Sequence, residues 1–287
     1  MTTSPARHSP SVATQRVRIG ELLRDWRERR RLTQEQLGEL VSCSQSKIAK
    51  IEGGDCGLKY VDLDTIVGAL ELPAEVAAEL REMNGVNSSL RLRDEHRATT
   101  SPTWFRDMPA FERDATRIRS WTGERISGLL HAEGYMLAQY TAYGYDNVDE
   151  PMQDRWERQK VFDLNPRCRF EFLLSESAID RLVHSLCPHI AADQLTHMLW
   201  LIDNYDTVTI RLVPYLAIVY VDPDYTILEF EPGTRDFVYT ENLHNSPRAY
   251  AEDLLCYERS WDALAEAAMD PARTREVLAD RRSPLTD

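Results

Sequence analysis

Ser46 and Lys50 point away from Ile48 and Ile51 on a short amphipathic stretch, with Gln45 and Ala49 flanking them. An amide, a hydroxyl and an ammonium presented on one narrow helix can hydrogen-bond the edges of stacked bases. Gln45 suits adenine N6 and N7, and Lys50 suits guanine or a phosphate. The surrounding groups point the same way. Arg18, Arg24, Arg27 and Arg29 to Arg31 crowd the preceding basic segment, and Lys47 lies beside Gln45. Such cations, with the unpaired N–H groups of helix N-termini at Thr33 and Ser44, suit phosphate oxygens.

Side chains can read bases only if a scaffold holds them out. From Arg18 to Arg31, Ile19, Leu22, Leu23 and Trp26 fall at helical spacing. Thr33 and Gln36 form a T-x-x-Q capping box, which predicts a second helix with Leu37, Leu40 and Val41 inward. "SCSQS" breaks the pattern, and Ser44 can cap a third helix with Ile48 and Ile51 inward. Leu63, Ile66, Val67 and Leu70 predict a fourth, and Pro73 at a first-turn position starts a fifth. Two helices joined by a tight turn, the second with small and polar side chains outward, make a helix-turn-helix, whose second helix fits the DNA major groove.

Charge separates this front end from the rest. Residues 1–60 carry eleven Lys and Arg against seven Asp and Glu, whereas 85–287 carry 22 against 34, within a net charge of −13. A basic front end on an acidic body can still meet nucleic acid. No apolar run approaches the roughly 20 residues of a membrane span, and residues 1–15 lack the apolar core of a secretory signal. Five scattered cysteines, with no CxxC pair, read as buried free thiols in a reducing cytoplasm.

Downstream, "MPAFERDATRIRSW", "AEGYMLAQYTAYG", "PMQDRWERQKVF", "SESAIDRLV", "AADQLTHMLWLIDN" and "PRAYAEDLLCYERSWDALAEAAM" read as helices. "RFEFLL", "TVTIRLVP", "AIVYV", "YTILEFE" and "RDFVYTE" read as strands. The expected organisation is a loose tail over 1–16, a mainly α five-helix domain over 17–84, a linker over 85–104, and a larger α+β domain with a mostly antiparallel sheet over 105–282. Residues 283–287 read as a tail.

"LLRDWRERRRLTQEQLGELVSCSQSKIAKIEGG" resembles the lambda/434-repressor-like, or Xre, family over residues 17–83. The resemblance implies that Gln45, Ser46 and Lys50 face bases, that Gln34 binds a phosphate and buttresses the recognition helix, and that Arg27 and Glu52 form a buried ion pair. Two positions depart from the family pattern: Ser42 where the turn often has Gly, and Gly38 where the second helix usually has Ala. Residues 105–280 resemble the C-terminal domain of actinobacterial Scr-type, antitoxin-like and WhiJ-like regulators, with the usual Pro-Gly-Leu-Leu-Gln-Thr landmark replaced by Ser127 to Ala132. The helix-turn-helix implies double-stranded DNA and a second copy of the chain as partners, and the C-terminal resemblance implies a small protein encoded by an adjacent gene. It implies no reaction and no cofactor, so no enzyme is expected.

Other residue types invite chemistry less well. His184, His189 and His197 match no metal-ligand spacing. Glu176, Glu229 and Glu241 lie near strand ends and could converge as an acid–base set, while Ser175 lacks a glycine elbow and a placed histidine. The aromatics from Trp104 and Phe105 through Trp121, Tyr135, Tyr140, Tyr143, Tyr145 and Trp156, and Tyr215, Tyr220 and Tyr225, suit either a core or a ligand or partner pocket. Trp121, Tyr135, Tyr140 and Trp156 are the candidate pocket walls.

Overall fold

The computed structural model describes residues 10–94, 106–219, 223–240, 248–249 and 252–286, without the side chains of 86–94, 248, 249 and 252. Residues 1–9, half of the expected linker (95–104), Phe105, Tyr220 and Glu241 lie outside the described residues. The chain divides into two compact units.

The first unit is helical: α1 (Val12–Arg29), α2 (Gln34–Leu40), α3 (Gln45–Glu52), α4 (Tyr60–Ala69) and α5 (Ala74–Asp94). Ile19, Leu23, Leu37, Ile48, Ile51, Leu63, Ile66, Leu70 and Leu80 form its core, with Leu22 and Trp26 packed against it. Each such side chain stabilises the fold by about 1.5–3 kcal/mol. α1 and the end of α3 meet closely at Gly20, where a Cβ would stand 2.4 Å from the Ile51 carbonyl oxygen. α1 starts five residues earlier than the expected boundary at 17. Its N-cap is Ser11, whose Oγ accepts from Thr14 N at 3.3 Å. α5 continues through Asp94, into the expected linker. Polarity there reported low apolar content, which is compatible with helix in the absence of Pro.

The second unit is α+β. Its elements are α6 (Met108–Asp114), β1 (Arg117–Thr122), a 3-10 turn (Gly128–Leu130), α7 (Glu133–Ala142), α8 (Asp149–Gln159), α9 (Val161–Leu164), β2 (Arg169–Ser175) and α10 (Glu176–Ser185). They continue as α11 (Pro188–Asn204), β3 (Val208–Val213), β4 (Tyr225–Glu229), β5 (Phe237–Thr240), the two-residue β6 (Arg248–Ala249), α12 (Glu252–Ala267) and α13 (Pro271–Thr286). The sheet order is β3-β2-β1-β4-β5-β6.

That sheet is mixed, a correction to the mostly antiparallel expectation. β1, β2 and β3 run parallel, with Ile118 beside Phe170 and Phe170 beside Val208. β4, β5 and β6 join antiparallel. The parallel half follows from the helical segments between its strands, since parallel neighbours need crossover connections. A second correction concerns "RIRSW", read as the end of a helix and found as β1, which has β2 on one side and β4 on the other. Ile118 to Thr122 are all buried, so the two-residue alternation of a one-sided strand is missing. Buried Arg119, paired with Glu229 and Glu258, adds polarity where a strand interior is expected to be apolar. Ala217 to Val219 form no strand. The expected tail over 283–287 is the end of α13 as far as Thr286. Of the five free cysteines only Cys168 is buried, against the expectation for all five.

Candidate nucleic-acid interface

The turn between α2 and α3 is built by local hydrogen bonds that the sequence encodes. Thr33 Oγ1 accepts from Gln36 N at 3.1 Å, and Gln36 Oε1 accepts from Thr33 N at 2.8 Å, completing the capping box. At the other end Cys43 N donates to Gly38 O at 2.8 Å and Ser42 N to Glu39 O at 3.2 Å. These two bonds are a Schellman closure, with Ser42 in the left-handed region at φ 55. Ser44 then caps α3, its Oγ accepting from Lys47 N at 3.2 Å. The consequence is a fixed presentation: Ile48 and Ile51 are buried, while Ser44, Gln45, Ser46 and Lys50 are exposed. A hydroxyl that accepts at a cap keeps its own proton to donate, so Thr33 and Ser44 can still meet an anion.

Behind this face runs a continuous polar chain. Arg27 donates to Glu52 through Nε at 2.6 Å and Nη2 at 2.9 Å, and through Nη1 to Leu32 O at 2.8 Å. Glu52 raises the Arg27 pKa, chiefly by that hydrogen bond, so the guanidinium stays charged. Gln34 Nε2 donates to Glu52 Oε2 at 3.0 Å, and Gln45 Nε2 reaches Gln34 Oε1 at 3.5 Å. Arg24 lies 3.6 Å from the same carboxylate. The ion pair thus ties α1 to the end of α3, and Gln34 carries the tie to the start of α3. Two expected phosphate ligands are already paired: Lys47 Nζ with Asp62 Oδ2 at 2.8 Å, and Arg18 with Glu79 at 3.3 Å. Asp62 and Glu79 went unread because a pair 15 or 61 residues apart leaves no periodic trace.

Residues 105–280 match a family described as Domain of unknown function (DUF5753). The chain belongs to that family. Residues 18–80 match a family described as Helix-turn-helix domain, which suggests DNA binding. No curated protein matches the chain.

Within the DUF5753 domain the four candidate pocket aromatics do not form one wall. Trp121 is completely buried and packs with Leu173, Tyr225, Ile227, Trp261 and Leu264, so it has no surface to offer a ligand. Tyr135 is buried against His131, ring centroids 4.8 Å apart, its hydroxyl accepting from Gln139 at 2.9 Å. Tyr140 donates to Pro151 O at 3.3 Å and stands edge-on to Tyr145. Trp156 is exposed on α8. Nor do Glu176 and Glu229 of the DUF5753 domain converge. Glu229 lies beside Arg117 at the start of β1, whereas Glu176 follows the end of β2. Six residues of strand rise separate those ends by about 20 Å. Ser175 is the N-cap of α10, accepting from Ser177 N at 3.2 Å. His184 and His189 are exposed, and His197 stacks on Trp200.

The family landmark at Ser127 to Ala132 is held by two glutamines that the sequence did not reveal. Gln194 donates to Leu130 O at 2.6 Å and accepts from Ala132 N at 2.7 Å. Gln159 donates to Leu129 O at 3.1 Å and His131 O at 2.7 Å. His131 Nε2, donating to Ile126 O at 2.8 Å, is fully enclosed, and burial holds its pKa well below the ordinary value. The Leu129, Leu130 and His131 carbonyls of this segment are thus each met by a glutamine amide.

Proposed function

We propose that the chain is an Xre-type, sequence-specific transcriptional regulator that binds an inverted-repeat DNA site as a homodimer. In this reading Gln45, Ser46 and Lys50 read bases, and Thr33, Gln34, Ser44, Lys47 and Arg18 contact phosphates. The DUF5753 domain contributes dimer contacts and binds a small protein or ligand, and neither unit is assigned a reaction or a cofactor. One observation carries the reading. α3 is anchored by Ile48, Ile51 and Glu52, yet leaves Gln45, Ser46 and Lys50 exposed. Exposed amide, hydroxyl and ammonium groups at the N-terminal end of a capped, buttressed helix are what base reading in a major groove requires.

The test is selection of bound duplexes from a random pool, followed by affinity measurements with Gln45→Ala. The variant is expected to lose about 1–3 kcal/mol on the selected site and to relax preference at one base pair. An unchanged preference would remove Gln45 from base reading, and failure to enrich any sequence would sink the regulator reading.

A second reading makes partner binding the main role, in the manner of an antitoxin, with DNA binding serving autoregulation. Leu137, Tyr143, Tyr145 and Trp156, exposed around α7 and α8, favour it, since exposed aromatics are enriched at protein interfaces. Co-purification with the product of an adjacent gene distinguishes it from a regulator that acts alone.

A further inference from the structure

Lys47 is positioned for a phosphate in the DNA-binding reading, on which this inference rests, but the structure gives its ammonium another ligand. Lys47 Nζ donates to Asp62 Oδ2 at 2.8 Å, with the lysine side chain 43% exposed and the aspartate 28%. Asp62 stands in the first turn of α4, where a carboxylate suits the helix dipole and is held in place. The pair therefore joins the helix proposed to enter the groove to the helix that follows it, with its charged ends open to solvent. No turn or cap requires it, since Ser44 Oγ alone caps α3 and Leu63 and Ile66 hold α4 in the core.

We propose that Asp62 is an internal competitor for the phosphate that Lys47 contacts, and so sets the protein's general affinity for DNA and its salt dependence. The argument is one of counterions. A free lysine that meets a phosphate releases about 0.9 of a condensed cation from the duplex. Lys47 is already neutralised by Asp62. To reach a phosphate it must leave or share that carboxylate, and the uncovered Asp62 charge then stands close to the duplex and repels it. The contact therefore adds less affinity and less salt dependence than a free lysine would. Because a phosphate carries no sequence information, the competition weakens cognate and random duplexes by the same factor.

The experiment measures binding of the full-length chain to the selected site and to a random duplex over a range of salt. It uses wild type, Asp62→Asn, Lys47→Gln and the double variant, with thermal melting of each as a check on folding. Asp62→Asn is expected to bind both duplexes about 3- to 10-fold more tightly near 0.1 M salt, with a steeper log–log salt slope, by at most about 0.9. The ratio of the two affinities stays unchanged. Lys47→Gln alone weakens both duplexes by the same factor, with a slope change well short of about 0.9, and in the double variant the Asp62→Asn gain disappears. A gain that survives in the double variant reflects general charge removal and overturns the proposal. So does an unchanged or weaker Asp62→Asn complex, which makes the pair a structural tie. So does a slope that falls by about 0.9 in Lys47→Gln, which shows an uncontested phosphate contact and can be read even without a folded Asp62→Asn. If wild type binds neither duplex, the DNA-binding reading itself fails, and the inference falls with it.

Discussion

Glu52 accepts from Arg27 through both carboxylate oxygens and from Gln34 through one, with its side chain only 2% exposed. A buried guanidinium is tolerable because this carboxylate lies against it. Removing one member of such a pair leaves the other charged and dry, at a cost of about 3–5 kcal/mol. Glu52→Gln is therefore expected to destabilise the first unit by that amount, read as a lower denaturant midpoint. Replacing both partners with apolar side chains, Arg27→Met with Glu52→Leu, should recover most of the loss, because neither charge is then stranded. Recovered stability would not restore function in the proposed regulator. Gln34 would lose the acceptor that orients it toward Gln45, so the double variant should fold and bind DNA more weakly than wild type. A single Glu52→Gln variant as stable as wild type would show that the pair is dispensable and that packing alone fixes α3.

At the scale of the elements, the turn between α2 and α3 is strained at one residue and crowded at another, and the two substitutions that exchange the residues commonly found there should act in opposite directions. Ser42 adopts φ 55, a left-handed conformation that costs a non-glycine residue about 1 kcal/mol. Ser42→Gly is expected to stabilise the unit by somewhat less than that, since glycine also gains freedom in the unfolded chain. Gly38 is different. Helix propensity alone favours Ala there by about 1 kcal/mol, but a Cβ would stand 2.6 Å from the Cys43 carbonyl oxygen. Because that contact is with backbone in the turn itself, Gly38→Ala should destabilise, and a stabilised variant in thermal melts would refute the account. These details mark what the sequence could convey. Caps at Thr33 and Ser44 were legible because their hydrogen bonds span three residues. The face of α3 was legible from the spacing of Ile48 and Ile51. β1 was not, because burial on both faces erased its alternation and the ion pairs of Arg119 looked like surface polarity. The aromatics show a related limit: their density is the same whether the rings line a cavity or fill a core, and Trp121 is found in a core.

For the whole molecule the deciding quantity is charge. The chain carries a net −13, and its basic front end has only eleven Lys and Arg over residues 1–60. The structure spends many of these internally: Arg24 and Arg27 on Glu52, Arg30 on Glu71, Arg18 on Glu79 and Lys47 on Asp62. Arg29 lies over the Trp26 ring, 5.0 Å from its centroid. One copy thus offers few uncommitted cations to a duplex, and a single helix-turn-helix so equipped should bind weakly. Two copies on one site convert the second contact into an intramolecular event, which raises overall affinity by about 10²–10⁴ without new chemistry. The gain depends on both recognition helices meeting the groove on the same side of the duplex, one helical turn or a multiple apart. Inserting about 5 bp at the centre of a selected inverted repeat turns one half-site to the opposite face. Affinity is expected to fall by roughly that avidity factor, with an insertion of about 10 bp restoring part of it. A gel-shift series that is indifferent to spacing, or a stoichiometry of one chain per duplex at full affinity, would show that a single unit suffices and would remove the dimer from the proposal.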